Sequence, residues 1–292
     1  MQDIWADPEI GFVYGHLKSP ALSVQDLFRD LHSCLKQRLE GTVIEIEARL
    51  GSFKEGGGFQ SDLGRDTFYL LLQELESYKA WHSVADWSES HDVFYSIDLP
   101  GEFGRRADIR TSVREGPSGE LQLFHLIKRK LKAVDFSSSS QKRSSEPGFL
   151  SAPSPQQEED AAPCEVALRV SSSIETEVPP ELIPAAVVPK YVRIKQRKKF
   201  LLASVGIDQP VFCFDFSIVY AGKNKTEAER LQAAGQQGAT FEVEIECLEP
   251  LLYLKSCDGH EGLLALSLLL KGCDLISILA KRPVSLQRTA AQ

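Results

Sequence analysis

Paired cysteines are missing from this 292-residue chain. Its six cysteines, Cys34, Cys164, Cys213, Cys247, Cys257 and Cys273, form no Cys-x-x-Cys and take no zinc-like spacing with histidine. A disulfide framework or structural zinc centre is therefore not expected, and a reducing compartment is. An export signal is missing as well, because Met1-Gln-Asp-Ile-Trp is neither basic nor followed by an apolar stretch. The longest apolar run, Leu263–Leu270, is far short of a membrane span. Together these absences predict a soluble intracellular protein with no membrane partner. Excess positive charge is missing too. A formal charge of −8 argues against a broad duplex-binding surface, though it leaves room for a local basic cavity. What is present is 42% hydrophobic content, enough for a real core, in a length that suits one large domain or two small ones.

The most informative stretch is Thr42–Gly51, Thr-Val-Ile-Glu-Ile-Glu-Ala-Arg-Leu-Gly. Alternate side chains of a strand point to opposite faces. Val43, Glu45, Glu47 and Arg49 then share one face, and Ile44, Ile46, Ala48 and Leu50 the other. Two carboxylates side by side repel, so the pair either meets solvent or meets a cation. Near the far end, Phe241–Cys247 repeats the pattern with Glu242, Glu244 and Glu246.

Taken in order, apolar residues at helical spacing predict a helix over Ser23–Leu39 with Ser23 as N-cap. A second helix is expected over about Asp62–His82, ending near Trp81, and a Leu-rich third over about Gly259–Lys281. A short one is possible in Asn224–Gln237. Strands are expected at 42–53, 91–99, 105–115, 121–132, 165–178, 190–201, 211–221 and 239–248, with a hairpin turn at Gly116-Pro-Ser-Gly119. In 121–132, Gln122, Phe124, Leu126, Lys128, Lys130 and Lys132 share one register. Phe136–Pro163 is rich in Ser, Pro and acidic residues and reads as a disordered insertion within a single domain of residues 1–292. Its Lys142-Arg143-Ser-Ser is a solvated linker or a site of modification or localisation. No 10–15-residue helices alternate with the strands, so a parallel sheet is not expected. Antiparallel strands are, and eight suffice to close a barrel.

Nearly every strand has one apolar and one charged face. In a sandwich the charged face would meet water, and a non-catalytic sheet surface is one reading. The amphipathic helices favour another: if they pack outside a closed barrel, the charged faces line a hydrated tunnel. An outer-membrane barrel shares that polarity but would need an export signal and aromatic girdles. The tunnel would carry Glu45, Glu47, Glu242, Glu244 and Glu246 facing Arg110, Lys128, Arg169, Arg193, Lys195 and Arg197. Carboxylates suit hard divalent cations, and Arg and Lys suit phosphate oxygens. An acidic floor with basic walls is built for a metal–polyphosphate complex.

Val43-Ile-Glu-Ile-Glu-Ala-Arg-Leu-Gly51, Tyr191-Val-Arg-Ile-Lys-Gln-Arg197 and Phe241-Glu-Val-Glu-Ile-Glu246 resemble the signature strands of the triphosphate tunnel metalloenzymes. More closely, they resemble the metal-dependent RNA 5′-triphosphatases of fungal and protist type that begin mRNA capping. The resemblance covers about residues 40–250. It implies an α+β fold, a closed eight-stranded antiparallel barrel with helices outside. It also implies hydrolysis of the γ-phosphate of 5′-triphosphate RNA to a 5′-diphosphate end. On that resemblance Glu45, Glu47 and Glu246 would ligate Mn²⁺ or Mg²⁺. Glu242 and Glu244 would support the site, and Arg110, Lys128, Arg193, Lys195 and Arg197 would grip the triphosphate. Arg169 joins them on the basic wall. Glu175 would orient or deprotonate the attacking water, with Glu177 in the same register. Asp215 and Ser217 match a family Arg-x-Asp-x-Thr pattern, with Cys213 standing where the arginine would be. A capping role implies a nuclear setting and a separate guanylyltransferase, since no Lys-x-Asp-Gly motif occurs. Inorganic tripolyphosphate or a nucleoside triphosphate is the alternative substrate, and the oligomeric state is left open.

Overall fold

A computed structural model describes residues 14–35, 42–98, 106–115, 120–140, 166–183, 187–203, 209–248, 250, 261–281 and 284–289. Eight long strands carry the fold: β1 (Thr42–Phe53), β4 (Ser88–Ile97), β5 (Ala107–Glu115), β6 (Leu121–Ser140), β7 (Ala167–Glu177), β8 (Tyr191–Ala203), β9 (Pro210–Gly222) and β10 (Thr240–Cys247). They run in the spatial order β10-β9-β8-β4-β5-β6-β7-β1, and β1 pairs back onto β10, which closes an antiparallel barrel. Three short strands are added at its margins. These are β2 (Phe59–Gln60) on β1, β3 (Ser83–Val84) on β8 and β11 (Val284–Arg288) on β6. Among the described residues four α-helices pack outside: α1 (Lys18–Leu35), α2 (Arg65–Ser77), α3 (Lys225–Ala233) and α4 (Glu261–Ala280).

The polarity of the wall follows from strand alternation. On β1, Ile44, Ile46, Ala48 and Leu50 are buried in the main core beside Leu268, Leu269 and Ile276 of α4 and Val24 and Phe28 of α1. On β9, Phe212, Phe214, Phe216 and Ile218 join the same core. Phe68 of α2 meets Phe216 and Phe241 with ring centroids 5.3 Å apart in both pairs. Burying one such side chain contributes about 1.5–3 kcal/mol, so the outer face supplies most of the cohesion. At Gly272 of α4 an added Cβ would come within 2.6 Å of Leu168 Cδ2. Helix α4 is thus seated on the barrel so closely that a side chain there would displace the Leu168 methyls.

Several expectations shift. Helix α1 begins at Lys18, and Ser23 lies inside it, its Oγ donating to Ser19 O at 3.2 Å; it is not the N-cap. Helix α2 is shorter than expected and ends at Ser77, with Trp81 Nε1 donating back to Leu75 O at 2.7 Å. Helix α4 runs continuously past the Leu263–Leu270 run for 20 residues. It is long and apolar enough to cross a membrane by length and composition, yet half of its apolar window is buried within the fold. Core packing accounts for that hydrophobicity.

Strand β6 departs furthest from the sequence reading. It continues to Ser140, pairing with β7 and β11. Phe136 is fully buried there, so residues 136–140 belong to the barrel and not to a disordered insertion. Residues 141–163 lie outside the described residues, as does the Gly116–Gly119 turn, although β5 and β6 pair as its hairpin requires (Glu115 opposite Leu121). The register also slips between Lys130 and Lys132. A bulge reverses which side chains face inward. Lys132 is consequently sent outside to Asp30 of α1 at 3.0 Å, and Asp135 turns inward.

Candidate active site

The barrel encloses a cavity of about 790 Å³ lined by alternate residues of its strands. Its acidic side comes from β1 and β10, where Glu47 pairs in register with Glu246 and Arg49 with Glu244. Hydroxyls of β7 hold the β1 carboxylates: Ser173 Oγ donates to Glu45 Oε2 at 2.9 Å and Ser171 Oγ to Glu47 Oε1 at 3.0 Å. Arg49 Nη2 donates to Glu47 Oε2 at 3.0 Å. Its Nε lies 2.9 Å from Glu244 Oε1 without hydrogen-bond alignment, an ion pair only. Lys128 Nζ bridges Glu45 Oε2 and, at 3.4 Å, Glu47 Oε2.

The opposite side is basic but already paired. Arg110 Nη2 donates to Glu175 Oε1 at 2.9 Å. Lys195, almost wholly buried, stands 3.7 Å from Asp92 Oδ2, and Ser112 Oγ donates to Asp92 Oδ1 at 2.6 Å. Arg197 grips Asp215 through Nε at 3.3 Å and through Nη2. Ser217 Oγ donates to the same carboxylate at 2.9 Å.

These charges shift one another in opposite directions on neighbouring residues. Burial alone would raise Glu244, but Arg49, Lys195, Lys128 and Arg197 surround it and hold it well below the usual carboxylate range. Glu246, two residues on, is pushed up to about 7 by burial, with Glu45, Asp215 and Glu244 adding to the rise and Lys199 opposing it. Burial lowers Lys195, helped by Arg193 and resisted by Glu244 and Asp92. Burial pulls Lys128 down too, but Glu47 and Glu45 outweigh it and leave the ammonium raised.

No protein-family model matches the chain, and no curated protein matches it in sequence. Solved structures match in shape. The Pct1 RNA triphosphatase of S. pombe aligns over 89% of this chain and 91% of its own, at 14% identity and a TM-score of 0.53. The same protein in complex with the Spt5 CTD aligns over 89% and 93%, at 15% identity and the same score. The barrel has the triphosphate tunnel fold. At such identity the likeness establishes the fold.

The tunnel gathers most of the residues singled out in the sequence. Glu45, Glu47, Arg110, Lys128, Glu175, Lys195, Arg197, Glu244 and Glu246 all line the one cavity. Five others do not line it. Arg193 is joined to Glu242 at 2.8 Å, and Glu242 also accepts from Ser61 Oγ at 3.3 Å. Asp215 and Ser217 are buried behind Arg197 and position that side chain. Arg169 is held by Asp135 through two hydrogen bonds of 2.6 and 2.7 Å and stacks 4.5 Å over the Phe59 ring. It faces a separate cavity of about 550 Å³, because the bulge in β6 brings Asp135 inward beside it. Glu175 is half-buried against Arg110, whereas Glu177 is exposed. Asp92 escaped the sequence reading. Its signal was the polar alternation Ser88, Ser90, Asp92 on β4, obscured by a face that carries a single charge. Lys199 is a second lining residue to which no role was given.

The donor set fits a hard divalent cation. Glu45, Glu47 and Glu246 offer carboxylate oxygens only, on two hydrogen-bonded strands. Glu246 is raised to about 7 by burial and by neighbouring anions, an arrangement that a cation would relieve. Among the described residues the carboxylates do not yet converge on one point, since Lys128 occupies the space between Glu45 and Glu47.

Proposed function

We propose that the protein is a divalent-metal-dependent RNA 5′-triphosphatase that removes the γ-phosphate from 5′-triphosphate RNA and leaves a 5′-diphosphate end. The observation that carries this reading is the pairing of Glu47 with Glu246 across β1 and β10, inside a closed barrel whose other walls bear Arg110, Lys128, Lys195 and Arg197. Carboxylates of two adjoining strands and cations gathered from the others in one cavity suit a polyphosphate chelated to a metal. Support for RNA as the substrate comes from the tunnel fold shared with the Pct1 RNA triphosphatase.

Glu45, Glu47 and Glu246 would hold Mn²⁺ or Mg²⁺, which when bound neutralises charge developing on the phosphoryl oxygens. The chain's own residues do the rest. Arg110, Lys195 and Arg197 hold the triphosphate in line and offset its charge. Their ion pairs with Glu175, Asp92 and Asp215 keep each cation aimed before substrate arrives. Glu175, anchored by Arg110, is the carboxylate placed to orient or deprotonate the attacking water. Within a capping pathway the enzyme would act in the nucleus beside a separate guanylyltransferase. The test is release of labelled γ-phosphate from 5′-triphosphate RNA with and without Mn²⁺, run beside inorganic tripolyphosphate. A folded sample inactive on RNA under both conditions rejects the reading. Strong preference for tripolyphosphate reassigns the substrate on the same tunnel.

A further inference from the structure

The cations of the tunnel differ in how fully they are paired. Arg49 is taken by Glu47 and Glu244, Arg110 by Glu175, Lys128 by Glu45 and Glu47, and Arg197 by Asp215. Lys195 is sealed within the wall facing Asp92. Lys199 is different. Its side chain lines the cavity and is 39% exposed. Its nearest carboxylate oxygen, Asp215 Oδ2, is 3.8 Å away, beyond hydrogen-bond reach. Both oxygens of Asp215 are already engaged, by Arg197 through Nε and Nη2 and by Ser217 Oγ. Among the described residues, then, the Lys199 ammonium reaches the lumen with one long ion pair, to a carboxylate already held by Arg197, and no hydrogen bond.

Its neighbourhood sharpens the point. Lys199 sits opposite Asp215 across β8 and β9, and the next inward position on β9 is Cys213, the register partner of Glu246. Cys213 is buried and uncharged, its thiol pushed up to about 12 by burial, so this stretch of β9 brings no cation toward Glu246. Lys199 is the positive group nearest to hand there.

We propose that Lys199 is a phosphate-binding residue of the tunnel, donating to a non-bridging oxygen of the bound polyphosphate on the wall where Cys213 carries no charge. This rests on the triphosphate reading above. An exposed ammonium held only by a long ion pair can donate to phosphate while breaking no hydrogen bond, whereas Arg110 or Arg197 must share a carboxylate to which it already donates.

The test is calorimetric titration of inorganic tripolyphosphate into the full chain in the presence of Mn²⁺. Lys198, next in sequence, points outward to Glu76 of α2 and controls for simple loss of charge. Lys199→Ala is expected to weaken binding roughly tenfold or more, as for loss of a charge-assisted contact, with an unchanged melting temperature. Lys199→Arg should recover most of the affinity, and Lys198→Ala should bind as the unsubstituted chain does. Should Lys199→Ala fail to fold, Lys199→Gln carries the same comparison. Unchanged affinity in Lys199→Ala, or an equal loss in Lys198→Ala, overturns this proposal and leaves the triphosphate site standing. Absence of tripolyphosphate binding by the unsubstituted chain overturns both.

Discussion

The two faces of β8 place opposite chemistries side by side. Outward, Val192, Ile194 and Phe200 are buried against the helices and their neighbours. Inward, Arg193, Lys195, Arg197 and Lys199 alternate with them. The outer face gains free energy from every residue it buries. The inner face carries desolvated charges whose mutual attraction roughly balances the cost of placing them there. Stability and chemistry are thus assigned to different sides of one strand, and substitutions on the two sides should fail in different ways.

The largest effect is expected outside. Phe216 is fully buried and packs edge-on against Phe68 and Phe200, with ring centroids at 5.3 and 5.7 Å. Phe216→Ala should cost about 3–5 kcal/mol in urea unfolding while the surviving folded fraction keeps its activity per molecule. Loss of activity without loss of stability would break the separation of faces. Inside, the pattern should reverse. Glu45→Ala or Glu246→Ala should lower RNA triphosphatase turnover by at least a hundredfold, on the order of losing one electrostatic contact to the transition state, with little change in melting temperature. Two active variants would remove the metal assignment.

Gly272→Ala tests the seat of α4 on the barrel, where the new Cβ would meet Leu168. Overpacking of this kind costs about 1–3 kcal/mol, read as a fall in the urea midpoint. The pH response of Glu246 tests the inner face. Its folded pKa of about 7 lies above the ordinary 4.5, so the folded, metal-free chain binds a proton that the unfolded chain has released. Stability should therefore fall as pH rises from 4.5 through about 7 and stay low above that. Glu246→Gln should flatten this slope, and Mn²⁺ should raise the melting temperature more above pH 7 than below it. The smallest effect is expected at Lys132, whose ion pair with Asp30 is about half exposed at both ends. Lys132→Ala should change stability by less than about 1 kcal/mol. A larger loss would mean that the bulge in β6 depends on this contact.

Much of the fold was legible as alternation. The bounds of β1 were read correctly, and the other seven long strands were located to within a few residues apart from the far end of β6, because period-two patterning survives in a barrel wall. The direction of that pattern was legible only by combining it with the amphipathic helices, whose apolar stripes needed the strands' apolar faces as cover. Arg169 shows the limit. By alternation it belongs with Arg193 and Lys195, and by register it does face inward. A single bulge in β6, which leaves no mark in composition, hands it Asp135 as a partner and turns it to another cavity. Asp92 was missed for the converse reason. One charge among serines is an ordinary strand surface until a neighbouring strand brings Lys195 beside it.

Taken alone, the amino-acid sequence determined which residues share a face and what chemistry each face can perform. Those properties depend on the strand period and on the side chains themselves. Which cation meets which carboxylate, and which is left without a hydrogen bond, was decided by the closed barrel. Pairing across strands depends on register and bulges, set by packing between elements distant in the chain. Lys199 and Arg197 are two residues apart and alike in charge, yet only the tertiary structure gives the hydrogen bonds of Asp215 to Arg197 and leaves Lys199 at 3.8 Å from it, more exposed to the lumen.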